Sequence, residues 1–166
     1  MLEAIVAVYS DWGIGSGGTQ PVVVKADRKH FRAVTGSAAV IVGRKTLADF
    51  PGGKPLPGRH NIVLSRSVRE VPGAEMVRTP AEAAAAGAKH ERCFVIGGAS
   101  VYRQTYPWLE RVYVTKIDAC PESDSFFPDL DADPDWVCTD PGEEREEDGL
   151  GYRFCVYERR RPRGDE

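Results

Sequence analysis

Six short runs rich in Val, Ile and Ala fix the class of fold this chain can adopt: residues 3–9, 38–42, 61–64, 74–77, 93–96 and 111–116. Several lack the polar residue at every second place that a half-solvated strand carries. Strands of that kind are buried on both faces, as in a parallel sheet covered by helices. Helical spacing and cap residues place helices between them, at about 26–35, 45–50, 80–86 and 99–106. The third is the most clearly marked: Thr79 is an N-cap, Pro80 a first helical residue, Glu82 a capping-box acid, and Gly87 closes the alanine run. Strand and helix alternate, which is the α/β pattern.

The last third reads differently. Residues 135–139 and 152–157 have strand character and are separated by the acidic segment Glu143 to Asp148, with Gly149 and Gly151 turning the chain back. An antiparallel hairpin finishing a mostly parallel sheet fits this, with the acidic segment as a solvated loop and residues 161–166 as a polar tail. At 166 residues the chain is long enough for one real core and short for two, so a single domain over residues 1–160 is expected. A net charge of −3 argues against a general nucleic-acid or anionic-membrane surface, so any anion site must be local. No apolar run approaches the about 18 residues of a spanning helix, and Glu3 stands where a signal peptide wants a base. Cys93, Cys120, Cys138 and Cys155 are scattered, without a close pair or a His at zinc-ligand spacing. Reduced thiols, a cytoplasmic location and no metal are therefore the expectation.

Two features carry chemistry. Asp27, Phe31 and Val34 share one side of a helix that ends at Gly36, which sets a carboxylate on the stripe meant for the interior. Asp27 is then either a first-turn acid satisfying backbone amides or a functional group whose burial something must offset. The second feature is a set of strand ends. Gly43-Arg44-Lys45-Thr46, Ser65-Arg66, Arg78 and Gly97-Gly98-Ala99-Ser100 each follow a strand of the parallel group. Ligands of open α/β sheets bind beyond such carboxyl ends, where arginines grip phosphates and glycine pairs let helix amides approach a pyrophosphate. Arg44 and Arg66 in place of an acid favour a 2′-phosphate, hence NADPH over NADH. Trp12-Gly13-Ile14-Gly15-Ser16-Gly17-Gly18 offers G-x-G but leads into a polar stretch, which reads as a mobile loop and not a dinucleotide fingerprint.

Taken in order, the motifs resemble the dihydrofolate reductase family from end to end. The matching pieces are Ile5-Val6-Ala7, Trp12-Gly13-Ile14-Gly15, Ala26-Asp27 with Phe31 and Thr35, Val42 to Thr46, Pro55-Leu56-Pro57-Gly58-Arg59, and Asn61 to Arg66. Val95 to Tyr102, Val114-Thr115-Lys116-Ile117-Asp118 and Asp124-Ser125-Phe126-Phe127-Pro128 complete the series. The resemblance implies a three-layer fold, an eight-stranded mostly parallel mixed sheet with a C-terminal antiparallel hairpin and four flanking helices. It also implies reduction of dihydrofolate by NADPH, in a monomer.

The resemblance further implies residue roles. Asp27 matches the carboxylate that binds the 2-amino group and N3 side of the pterin, supported by the Thr115 hydroxyl. Arg59 matches the fork for the α-carboxylate of the glutamate tail, with Arg32 nearby. Ile5, Phe31, Phe50, Leu56, Ile96 and Tyr102 would line the apolar slot, although Phe31 reads equally as core. On the cofactor side, Arg44, Ser65 and Arg66 would take the 2′-phosphate, and Lys45, Thr46 and the Gly98–Val101 backbone, Ala99 and Ser100 included, the pyrophosphate. Leu64, Arg78, Gly43, Gly15, Gly18, Thr19, Ile96, Gly97 and Tyr102 complete the cofactor set, with Ala7 and Ile14 at the carboxamide and Gly97-Gly98 joined by a cis peptide. Asp124 would hold the 13–19 loop closed, or serve only as a turn acid.

The chain departs from the family at three places, one of them the loop Asp49 to Lys54 around Phe50, slightly longer than in the shortest members. Gln20-Pro21-Val22 stands where a Pro-Trp pair is frequent, so the indole is absent, and Arg28 replaces a Leu or Met and is expected to point to solvent. Diaminopyrimidine antifolates are expected to bind through Asp27. Two rival readings remain: a reductase of the same fold acting on another heterocycle, such as the pyrimidine reductase of riboflavin synthesis, and a non-catalytic nucleotide-binding module. The first has no reason to keep both Asp27 and Arg59, and the second leaves the acid on the apolar stripe unexplained.

Overall fold

A computed structural model describes residues 1–16, 19–68 and 70–160. In chain order the elements are β1 (Leu2–Val8), β2 (Gly13–Gly15), α1 (Lys25–Thr35), β3 (Ala39–Gly43), α2 (Arg44–Ala48), β4 (Asn61–Leu64), β5 (Ala74–Val77), α3 (Pro80–Gly87) and β6 (Cys93–Gly97). They continue with α4 (Ala99–Thr105), β7 (Leu109–Ile117), β8 (Ser125–Phe126), β9 (Trp136–Asp140), β10 (Arg145–Glu147) and β11 (Leu150–Arg159), with 3-10 turns at Pro51–Gly53 and Tyr106–Trp108. The chain is α/β, with a mostly parallel mixed sheet of eight strands in its main row and four α-helices. It has two compact units, and β1 runs through both.

The first unit comprises residues 1–5 and 31–109. Its strands follow the order β1-β6-β3-β4-β5, every pair parallel. All residues of β3 and β4 are buried, which is why they carry the runs Val-Ile-Val and Ile-Val-Leu without polar alternation. Helix α3 packs on β3, β4 and β5, and α4 packs on β3, β6 and α3. The start of α3 matches its sequence: the Thr79 hydroxyl accepts from the Glu82 amide at 3.1 Å, while the Glu82 carboxylate accepts from the Arg78 amide at 2.8 Å.

The second unit comprises residues 6–30 and the segment from Glu110. Here β11 is the hub, antiparallel to β7, β9 and β10. A cluster of Tyr9, Val24, Ile117 and Tyr152 forms its core, with Val22 and Ala26 packed against it. Two expectations are corrected in this unit. The acidic segment is not a solvated loop throughout: Arg145–Glu147 is a strand, joined to β11 through Asp148 (φ 51°) and Gly149 (φ 83°). Positive φ at both central residues gives the two-residue turn whose twist matches paired strands, and Asp-Gly is its usual sequence. Likewise Gly13–Gly15, read as part of a mobile loop, is a short strand paired with β8. Gly17, Gly18, Arg69 and the tail 161–166 lie outside the described residues, so the assignment of Gly18 to the cofactor rests on sequence alone.

Candidate functional site

Three groups of side chains carry the chemistry expected from the sequence. The first belongs to the second unit and centres on Asp27. This residue sits in the first turn of α1, yet it is not the helix cap. The amides of Lys25 and Ala26 donate instead to the two carboxylate oxygens of Glu147, at 2.7 and 3.1 Å. Glu147 therefore supplies, from β10, the negative charge that a helix N-terminus favours, and it does so over a sequence separation of more than a hundred residues. The side chain of Asp27 is left for other work. It accepts a 2.5 Å hydrogen bond from the hydroxyl of Thr115, itself buried within β7.

Burial raises the Asp27 pKa above its ordinary value, and the Thr115 bond and nearby His30 pull it partly back. His30 is pushed the other way, downward, by burial first, against the pull of Asp27. Its ring stacks on Phe154 of β11 at 3.9 Å between centroids, and Arg145 lies over the other residue of that pair, Phe154, at 5.6 Å. The first two turns of α1 are thus fastened to the β10–β11 hairpin, by an amide clamp at Lys25 and Ala26 and a ring stack at His30. A half-buried carboxyl with an elevated pKa, hydrogen-bonded to a hydroxyl, can pair with an amidine-like edge of a heterocycle or exchange a proton with a bound group.

The second group belongs to the first unit and centres on Arg59. Its Nε and Nη2 donate to the Thr35 hydroxyl at 3.3 and 3.1 Å, and its Nη1 to the Pro57 carbonyl at 3.3 Å. The guanidinium lies 5.8 Å from the centre of the Phe31 ring. The loop that carries it is held from below by Asn61. That buried amide accepts from the Leu56 nitrogen and donates to the carbonyls of Leu56 and Arg59, all at 2.9–3.0 Å. Phe31, Phe50, Leu56 and Ile96 are half-buried and keep apolar surface open, with Phe50 and Ile96 packed against Val42, Leu47 and Val63. Ile5 and Tyr102 are buried, and the Tyr102 hydroxyl donates to the Ile5 carbonyl at 2.7 Å. Arg32 is exposed on α1.

The third group, also in the first unit, gathers basic side chains. A cavity of about 430 Å³ is lined by Arg66, Arg78 and Arg103, by Ser65, Ser100 and Gln104, and by Leu64 as an apolar wall. No carboxylate lines it among the described residues. Arg78 braces the loop, donating to the carbonyls of Ser65 and Val68 at 3.0 and 2.5 Å, while the Ser65 hydroxyl accepts from the Val68 amide at 3.1 Å. Beside this, Gly43 caps α2 and Gly98 caps α4, neither with a side-chain cap bond, and Gly97-Gly98 is a cis peptide. A methyl group on Gly43 would stand 2.8 Å from Val101 Cγ2, and one on Gly98 would stand 2.9 Å from the Thr46 hydroxyl. The backbone at these turns is therefore bare by packing necessity, as a surface approached by a phosphate chain must be. Arg44 and Lys45 are exposed at the start of α2, Thr46 is half-buried, and Ala99, Ser100 and Val101 form the first turn of α4.

The glycine loop completes the second unit. Ala7 and Ile14 are half-buried, Gly15 is buried and Thr19 is exposed. The Asp124 amide donates to the Gly15 carbonyl at 2.9 Å, and the Asp124 carboxylate accepts from the Ser125 hydroxyl at 3.1 Å, which ties the start of β8 to the glycine loop. Val22, at the position of the absent indole, packs against the cluster of Tyr9, Val24, Ile117 and Tyr152. Its amide and carbonyl both bond the Tyr9 hydroxyl, at 3.1 and 2.6 Å, and Arg28 is exposed as expected. Sequence reasoning missed Glu147, Asn61, Arg103 and Gln104. Asp148-Gly149 was the signal for the first, and one helical turn from Ser100 the signal for the third.

Comparison with known proteins bears directly on these groups. The family model described as dihydrofolate reductase matches residues 1–159. The dihydrofolate reductase of Bacillus subtilis (strain 168) is 32% identical over 96% of this chain and 95% of its own length. That of Neisseria gonorrhoeae is 36% identical over 94% and 96%, and that of Gallus gallus 34% identical over 95% and 96%. With the family model spanning nearly the whole chain and relatives this similar over full length, the chain belongs to the dihydrofolate reductase family and is an oxidoreductase.

Proposed function

We propose that this chain reduces 7,8-dihydrofolate to 5,6,7,8-tetrahydrofolate at the expense of NADPH, and so supports one-carbon and thymidylate metabolism. The observation that carries the proposal is the Asp27–Thr115 pair: a carboxyl raised in pKa by burial, relieved of helix capping by Glu147 and bonded to a buried hydroxyl. Bound NADPH supplies the hydride, which pterin C6 receives while N5 gains a proton.

Asp27 accepts from the 2-amino group and the N3 side of the pterin, and its negative charge favours the protonated heterocycle. Thr115 fixes the rotamer of that carboxyl through its 2.5 Å bond. Arg59 takes the α-carboxylate of the glutamate tail as a fork, already oriented by Thr35 and by the Asn61-braced loop. Phe31, Phe50, Leu56 and Ile96 exclude water from the flat ring system. Ser65 and Arg66 bind the 2′-phosphate, with Arg44 adding its charge at longer range from the start of α2, and Lys45, Thr46 and the bare amides after Gly98 bind the pyrophosphate. Arg78 acts by holding the Ser65–Val68 carbonyls in place. The activity resides in residues 1–160 as one domain, in a cytoplasmic monomer that diaminopyrimidine antifolates reach through Asp27. No described helix is long and apolar enough to cross a membrane.

Loss of absorbance at 340 nm with NADPH plus dihydrofolate, repeated with NADH and with methotrexate, tests the reading. NADPH oxidation that depends on dihydrofolate and stops with methotrexate is the expected result. Equal rates with NADH would remove the cofactor assignment, and oxidation indifferent to methotrexate would remove the substrate assignment.

A further inference from the structure

We propose that Arg103 is a specificity-determining residue, which adds a guanidinium from α4 to the 2′-phosphate site and sharpens selection of a 2′-phosphorylated nucleotide. The inference rests on the NADPH reading above and extends it to a residue on a different element from Ser65 and Arg66.

The cavity holds three cations and, among the described residues, no acid. Arg78 is committed to two backbone carbonyls. Gln104 donates to the Ser100 hydroxyl at 2.9 Å, so the two neutral polar groups that α4 contributes are tied to each other. Arg66 and Arg103 are exposed, and neither makes an ion pair or a side-chain hydrogen bond among the described residues. Two guanidiniums facing one concavity without a counter-charge repel each other unless an anion joins them. A phosphate monoester carries about −1.5 to −2 charges at neutral pH and three acceptor oxygens, enough to receive both forks at once.

A simpler account is available for Arg103: a basic residue in the last turn of a helix complements the helix dipole. That account predicts a small stability effect and no effect on any ligand. The two are therefore separable by a binding measurement that needs no turnover.

The full chain is titrated calorimetrically with 2′,5′-ADP and with 5′-AMP at low salt, as wild type, Arg103→Gln and Arg103→Lys. Removing one charge-assisted contact should weaken 2′,5′-ADP about tenfold in Arg103→Gln, leave 5′-AMP unchanged, and lower the salt dependence of 2′,5′-ADP binding. Arg103→Lys should recover part of the loss, since it restores the charge without the fork. An unchanged melting temperature confirms that the variants are folded. If wild type prefers 2′,5′-ADP and Arg103→Gln keeps that preference in full, Arg103 is only a helix-end residue and the proposal falls. If wild type itself does not distinguish the two nucleotides, the NADPH reading fails first, and the role of Arg103 with it.

Discussion

Asp27 and the arginine cavity solve opposite electrostatic problems. At Asp27 one charge is desolvated, raised in pKa and held by a single hydroxyl, with the surrounding helix capped by a different residue. At Ser65, Arg66, Arg78 and Arg103 several charges stand at a solvated concavity, spread over a loop, two strand ends and a helix. A desolvated charge has no substitute, because nothing nearby can take its place and water does not reach it fully. Solvated charges share their task and are screened, so each contributes a fraction. The first region should fail all at once when altered and the second by degrees.

The sharpest way to break that contrast is Asp27→Asn. Turnover at neutral pH should fall about 10²- to 10³-fold, the size of a lost acid-base group, while calorimetric affinity for 2′,5′-ADP stays at the wild-type value. The pH dependence that wild type shows as Asp27 titrates should vanish. Stability should move the other way. Burial raises the Asp27 pKa, so the stability tied to its protonated form is complete below the unfolded value of 3.8 and is lost as pH rises through the folded value. Asparagine does not ionise and keeps an acceptor for Thr115, so the variant should melt higher than wild type at pH 7, with the gap closing in acid. A variant that melts lower at pH 7 would mean that Asp27 is a structural group.

Arg59→Lys sharpens the comparison within one ligand. Arg59 is half-buried and pre-oriented, intermediate between the two extremes. Losing the fork should raise KM for dihydrofolate about tenfold with little change in kcat, and should leave KM unaltered for a pteridine lacking the glutamate tail. Equal effects on both substrates would place Arg59 in the scaffold. Glu147→Ala comes next. It removes a carboxylate from two helix amides and should cost about 1 kcal/mol, a fall of about 2–4 °C in melting temperature. Glu147→Gln, which keeps one acceptor, should cost less.

The central strands β3 and β4 were legible because burial on both faces leaves a run of Val, Ile and Leu that no helix or loop needs. β4 and β5 fall at the expected residues. The hairpin was half legible. Trp136–Asp140 pairs with β11 as expected, but β10 is composed of Arg145, Glu146 and Glu147, and its pairing is set by the Asp148-Gly149 turn and not by hydrophobic pattern. Asp27 was legible as an anomaly, whereas its release from capping was not, since Glu147 lies far away in sequence and reads as one acid among many. Asn61 was hidden for a related reason: a polar residue opening a buried strand gives no sign of which loop it braces. The arginines at strand ends were legible from position, while Arg103, on a helix, had only its spacing from Ser100 to mark it.

The smallest effect concerns Arg44. Position in the sequence groups it with Arg66, but the cavity is lined by Arg66, Arg78 and Arg103, with Arg44 exposed at the start of α2. A cation outside the concavity acts on a bound phosphate at longer range and through water, where ions screen it over about 10 Å at 0.1 M salt. Arg44→Gln should therefore weaken 2′,5′-ADP only about two- to threefold at low salt, a loss of the order seen for exposed pairs, and the difference should disappear near 0.5 M salt. A loss as large as that of Arg66→Gln, persisting at high salt, would mean that Arg44 makes a direct contact, and that the anion is gripped by two strand ends more than by the loop and α4.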